Sequence, residues 1–148
     1  MEIGDKIPEV LGHDASGREV KASDYAGKKL VIYFYPKDNT PGCTAEACSL
    51  SEGYGALKKA GYEVIGVSKD SAASHQKFAA KHNLPFTLIA DEDLTLNKAF
   101  GVWREKKLYG KVSMGTVRTT FLVDEDGTVT QIIKKVQTKD AANQILNL

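Results

Sequence analysis

Apolar positions along the chain fall into short blocks whose period changes from two to about 3.6 and back. The block Leu30-Val31-Ile32-Tyr33-Phe34-Tyr35 is continuous and rich in β-branched and aromatic residues, which predicts a central strand covered on both faces. It stops at Pro36. From Pro41 or Gly42 to Ala60 the composition is helical: Leu50, Tyr54 and Leu57 recur at helical spacing, Thr40 or Thr44 suits the cap, and Gly61 follows the end. Gly53 and Gly55 weaken that helix. Tyr62 to Ser68 reads as the next strand and Ser71 to His82 as the next helix, with Phe78 and Ala79 inward. Strand, helix and strand at these lengths form a parallel crossover unit.

On the N-terminal side, Val10 to His13 and Arg18 to Lys21 are strand candidates joined by the turn residues Asp14-Ala15-Ser16-Gly17, which predicts a hairpin. Ser23 to Gly27 reads as one helical turn. On the C-terminal side come a short strand at Phe86 to Ile89 and a short helix at Leu94 to Phe100. Residues 102–115, VWREKKLYGKVSMG, lack clean periodicity and are expected to be irregular. Val117 to Val123 and Val129 to Lys134 flank Asp124-Glu125-Asp126-Gly127, a hairpin signal, and Lys139 to Leu148 predicts a terminal amphipathic helix. The expected fold is α/β: one thioredoxin-like domain over residues 1–148, with an N-terminal β-hairpin and a central mixed sheet flanked by helices.

Composition narrows the function more than the fold. At 148 residues the chain can bury one substantial core without metal or disulfide staples. A net charge of +1 favours neither nucleic acid nor an acidic or membrane partner. No apolar run approaches the ~18 residues that span a bilayer. The opening MEIGDKIPEVLGHDASG has no basic segment followed by an apolar one, so a cytoplasmic protein is expected. In that reducing compartment two cysteines so near in sequence suit a transient redox role better than a permanent staple.

Both cysteines lie between Tyr33 and Glu52. Cys43 falls where the central strand gives way to the helix, and a negative charge there is stabilised by N–H groups without intrahelical partners. A thiolate is such a charge, and it is the nucleophilic form of cysteine. The setting Thr40-Pro41-Gly42 before it and Thr44 after it is polar and turn-rich, unlike that of a core cysteine. Cys48 has the small or apolar neighbours Ala45, Ala47 and Leu50, so on the residues alone a structural and a redox role both stay open. No metal site is expected, because the cysteines lack a second ligand pair at suitable spacing and His13, His75 and His82 are scattered. The histidines are read as ordinary structural or surface residues.

The pattern Pro36-x-x-x-Thr40-x-x-Cys43, with the later run Arg118-Thr119-Thr120-Phe121-Leu122-Val123, resembles the active-site signature of the peroxiredoxins. The fuller strings YFYPKDNTPGCTAEAC and RTTFLVDEDG resemble the bacterioferritin-comigratory, or peroxiredoxin Q, subfamily, and the likeness extends over nearly the whole chain. It implies a thiol peroxidase for hydrogen peroxide and organic hydroperoxides that uses no cofactor. Cys43 would be the peroxidatic nucleophile, and Cys48 the resolving cysteine that forms a disulfide with it. Thr40 would hydrogen-bond the thiolate or the peroxide, Pro36 would shield the sulfur, and Arg118 would hold both thiolate and peroxide. Pro41 and Gly42 would shape the site, while Glu46 would either orient Arg118 or only complement the helix N-terminus. Thioredoxin or a similar dithiol would be the reductant, and a monomer is expected. The competing readings are a thiol-disulfide oxidoreductase on the same fold and a non-catalytic redox sensor.

Overall fold

The computed structural model describes residues 1–148, the side chain of Leu108 excepted. Its centre is strand β3, Lys29–Phe34. Because successive side chains of a strand point to opposite faces, the apolar run splits into two sets. Val31, Tyr33 and Tyr35 face one core, and Leu30, Ile32 and Phe34 face the other. All six are buried, which is what a strand covered on both sides requires.

β3 pairs in parallel with β4, Tyr62–Ser68, which pairs in parallel with β5, Thr87–Ala90. On its other side β3 pairs antiparallel with β8, Thr119–Val123, and β8 with β9, Val129–Ile133. The sheet order is therefore β5-β4-β3-β8-β9, mixed as expected. The N-terminal hairpin of β1, Val10–His13, and β2, Glu19–Lys21, is present, followed by a 3-10 turn at Ala22–Tyr25.

One layer of helices covers the Tyr33 face: α1, Pro41–Glu52; α2, Tyr54–Lys59; α3, Ala72–His82; and α5, Ala141–Leu146. Leu50, Leu57, Phe78 and Ile145 are their buried contributions. α4, Thr95–Ala99, covers the opposite face through Leu96. The single helix expected from about residue 41 to Ala60 is broken at Gly53. There α5 comes so near that a Cβ on residue 53 would lie 2.2 Å from the Cβ of Ala142. Close approach of two helices thus dictates the glycine, and the glycine interrupts the helix.

Residues 102–115 differ from expectation. They form an antiparallel hairpin, β6 Trp103–Leu108 and β7 Lys111–Thr116, closed by Tyr109 and Gly110 with φ of 52° and 76°. Two successive positive φ values make the turn that matches strand twist. The pattern hid it because Lys111, Val112, Ser113 and Met114 are all exposed, so no buried face imposes alternation. Two smaller differences bear on the ends: Arg118 lies just before β8 rather than inside it, and the terminal helix is confined to Ala141–Leu146.

Candidate active site

α1 begins where the sequence puts Thr40-Pro41. Thr40 has extended backbone angles at the N-cap, and Pro41 occupies the first helical position, where a missing N–H costs nothing. The Thr40 side chain does not cap the helix; its hydroxyl donates to the Lys37 carbonyl at 2.8 Å. The first hydrogen bond of the helix runs from Thr44 N–H to the Thr40 carbonyl, so the N–H groups of Gly42 and Cys43 lack intrahelical acceptors. Cys43 is only 1% exposed, and both cysteines are free thiols.

Arg118 arrives from the segment before β8 and joins two residues of α1. Its Nη1 donates to Glu46 Oε1 at 2.6 Å, and its Nη2 to Cys43 Sγ at 3.4 Å. Cys43 and Glu46 are three residues apart, so one helix face presents both to the same guanidinium. Gly42 makes room: a Cβ there would sit 3.2 Å from Arg118 Nη2. Glu46 is fully buried and its Oε2 has no hydrogen-bond partner among the described residues. Burial pushes its carboxyl up to about 7 although Arg118 pulls the other way. Lys106 of β6 lies in the same field; burial and Arg118 lower its ammonium, while Cys43 opposes them.

Of the expected residues, Cys43, Glu46, Arg118 and Gly42 meet at one place. Thr40, Pro36 and Pro41 belong to the loop and first turn that lead into it, with Pro36 half-buried and Pro41 exposed. Cys48 stands further along the same helix, half-buried, with its sulfur 3.8 Å from His82 Nδ1.

The loop itself is held by a buried network that no sequence motif announces. Asp38 accepts hydrogen bonds from Tyr35 Oη at 2.7 Å and Ser74 Oγ at 2.8 Å, and its Oδ2 lies 2.8 Å from His75 Nδ1. Its own N–H donates to Asp70 Oδ2 at 2.9 Å. His75 Nε2 faces the Ile89 carbonyl at 3.0 Å, so both ring nitrogens meet an oxygen. Although burial acts to raise it, the Asp38 carboxyl is held below its usual range by hydrogen bonds from His75 and Tyr35. His75 is thus a buried structural residue, held at both ring nitrogens. Ligand atoms of Asp38, Asp70 and His75 lie within 4.8 Å of one another, but the Asp38 oxygens and Asp70 Oδ2 already accept the hydrogen bonds of this network. A Lys-Asp pair in a loop carries no local signal for such a role, since apart from Tyr35 its partners come from the segment after β4 and from α3.

The family profile described as AhpC/TSA matches residues 3–132. Peroxiredoxin Bcp of Bacillus subtilis is 46% identical over 146 residues, spanning 99% of this chain and 93% of that protein. Peroxiredoxin Bcp of Escherichia coli is 40% identical over 147 residues, spanning 99% and 94%. Among solved structures, a cysteine-to-serine variant of Xylella fastidiosa PrxQ superposes with a TM-score of 0.90 at 36% identity, covering 99% of this chain and 94% of its own. The bacterioferritin comigratory protein of Xanthomonas campestris, studied for alkyl peroxide reduction as a trapped intermediate and ligand complex, gives 0.86 at 38% identity with 97% and 96% coverage. With a matching profile over most of its length and relatives at 40% identity or more from end to end, the chain belongs to the AhpC/TSA family, among its Bcp/PrxQ peroxiredoxins.

Proposed function

We propose that the chain is a thiol peroxidase that reduces hydrogen peroxide and organic hydroperoxides through Cys43, is resolved by Cys48, and is recycled by thioredoxin or a similar dithiol. The observation that carries this reading is the Arg118 guanidinium, fixed by Glu46 and 3.4 Å from the Cys43 sulfur. The Cys43 thiolate attacks one peroxide oxygen, the O–O bond breaks, and the alkoxide or hydroxide leaves to be protonated. Cys43 becomes a sulfenic acid. Negative charge moves from sulfur to the departing oxygen along a line flanked by Arg118 and the free N–H groups of the first turn, a preorganised setting that favours the transition state. With its proton committed to Lys37, Thr40 Oγ1 offers acceptor lone pairs suited to the O–H of a hydroperoxide.

Cys48 then condenses with the sulfenic acid to give an intramolecular disulfide and water. Five helical residues separate the two Cα atoms by about 8.6 Å, more than the ~7 Å that a disulfide tolerates. The first turns of α1 therefore unwind in each cycle. A monomer in the cytoplasm completes the reading. No helix is long and apolar enough to cross a membrane among the described residues.

The test is peroxide consumption with thioredoxin, thioredoxin reductase and NADPH. Sustained turnover is expected, abolished in Cys43→Ser. Cys48→Ser should consume about one equivalent and stop. A dithiol oxidoreductase or a sensor without turnover would consume no peroxide catalytically, and loss of the single turnover in Cys48→Ser would remove the assigned roles.

A further inference from the structure

When α1 opens, one end must stay in place, and the packing decides which. Ser49, next to Cys48, is tied from two directions: its Oγ is 3.0 Å from the Glu46 carbonyl and 2.9 Å from the Thr138 carbonyl, and it accepts Ala141 N–H at 3.2 Å. Ala47 and Leu50 are buried in the core, and Gly53 lies against Ala142. The first turn has an exposed Pro41 and no side-chain cap at Thr40, and its tie is through the reactive sulfur itself, the 3.4 Å contact of Cys43 with Arg118. Cys43 is thus the sulfur that travels, and Cys48 receives it where it stands.

At that place Cys48 Sγ is 3.8 Å from Nδ1 of His82, the last residue of α3. The imidazole packs edge-on to fully buried Phe78, with ring centroids 5.2 Å apart and planes at 70°, so the core sets its orientation. His82 is only half-buried, so an imidazolium formed there keeps part of its hydration.

We propose that His82 is the catalytic base of the resolving step, an assignment that rests on the reading of Cys43 and Cys48 given above. In the tautomer with its proton on Nε2, Nδ1 takes the proton from the Cys48 thiol. The Cys48 thiolate attacks the sulfur of the Cys43 sulfenic acid, the S–S bond forms and the S–O bond breaks. The departing hydroxide takes a proton from the imidazolium and leaves as water. The thiol is oxidised, the sulfenic sulfur is reduced to the disulfide level, and no outside oxidant is needed. When a dithiol later cleaves the disulfide, the same ring can return a proton to Cys48.

The experiment is a single turnover with one equivalent of hydrogen peroxide, stopped at intervals with dimedone and an alkylating agent, and read by mass spectrometry. In His82→Ala and His82→Gln, dimedone-trapped Cys43 should persist and disulfide formation should slow on the order of 10²-fold, the usual contribution of a general base. Added imidazole should restore part of the rate in His82→Ala, which a merely distorted helix end would not allow. Disulfide formation at the wild-type rate in both variants overturns the proposal, as does slowing in His82→Ala alone without imidazole rescue. If the wild type itself yields sulfenic acid but never the Cys43–Cys48 disulfide, the resolving role of Cys48 fails, and the role of His82 falls with it.

Discussion

Arg118 and Glu46, 72 residues apart in sequence, form a 2.6 Å ion pair beneath the Cys43 thiol. The carboxylate oxygen holds one guanidinium nitrogen, which leaves the other aimed at sulfur. Removing the arginine therefore does two kinds of damage. Arg118→Ala should slow oxidation of Cys43 by peroxide by about 10²-fold or more, the typical loss for a preorganised donor. Arg118→Lys should recover little, because an ammonium cannot bridge two acceptors with the geometry of a planar fork. Stopped-flow oxidation at several peroxide concentrations measures both, and full activity of the lysine variant would show that charge alone suffices.

Glu46 gives a pH signature. Burial raises its carboxyl from an ordinary 4.5 to about 7, so between those values the folded protein binds more protons there than the unfolded chain. Stability from this group therefore declines as pH rises from about 4.5 to about 7 and levels off above. Glu46→Gln should remove that slope, and urea denaturation from pH 5 to 8 will read it. Parallel curves for the two proteins would mean that Arg118 outweighs burial and that the group is ionised throughout.

Opening of α1 should be confined to its front half. On oxidation, amides of residues 42–47 should lose protection against hydrogen exchange, with a fall in helical circular dichroism, while residues 49–52 stay protected by the Ser49 and Gly53 contacts. Equal protection in both redox states would exclude a Cys43–Cys48 disulfide formed by unwinding.

The Asp38–His75 pair should matter for stability and for the site loop together. Asp38→Ala takes the carboxylate away from His75 Nδ1 and from two hydroxyls, and removal of one partner of a buried pair costs about 3–5 kcal/mol. Because the Asp38 carboxyl is lowered from 3.8, its contribution is present above that value and is lost as pH falls through the folded pKa. The stability gap between wild type and variant should therefore shrink on acidification below about pH 4. A gap that is small at pH 7, or constant into acid, would contradict the network described.

Elements whose residues interact locally or bury a regular face are legible in the sequence alone. The run Leu30–Tyr35 had to be a two-sided strand, a helix had to start near Pro41 or Gly42, and Asp124–Gly127 had to turn. Cys43 was legible as a candidate because its chemistry depends on its own flanking residues. The neighbours of that cysteine were decided elsewhere. Arg118 and Glu46 meet only because β8 lies beside β3, and His75 and His82 gain partners only because the crossover lays α3 against the end of β3 and the side of α1. The hairpin at 103–116 escaped the pattern because exposed strands need no alternation, and the break at Gly53 because its cause is Ala142 on another helix. Local periodicity records which face a segment buries; what it is buried against, and which charge then lacks water, is a property of the assembled chain.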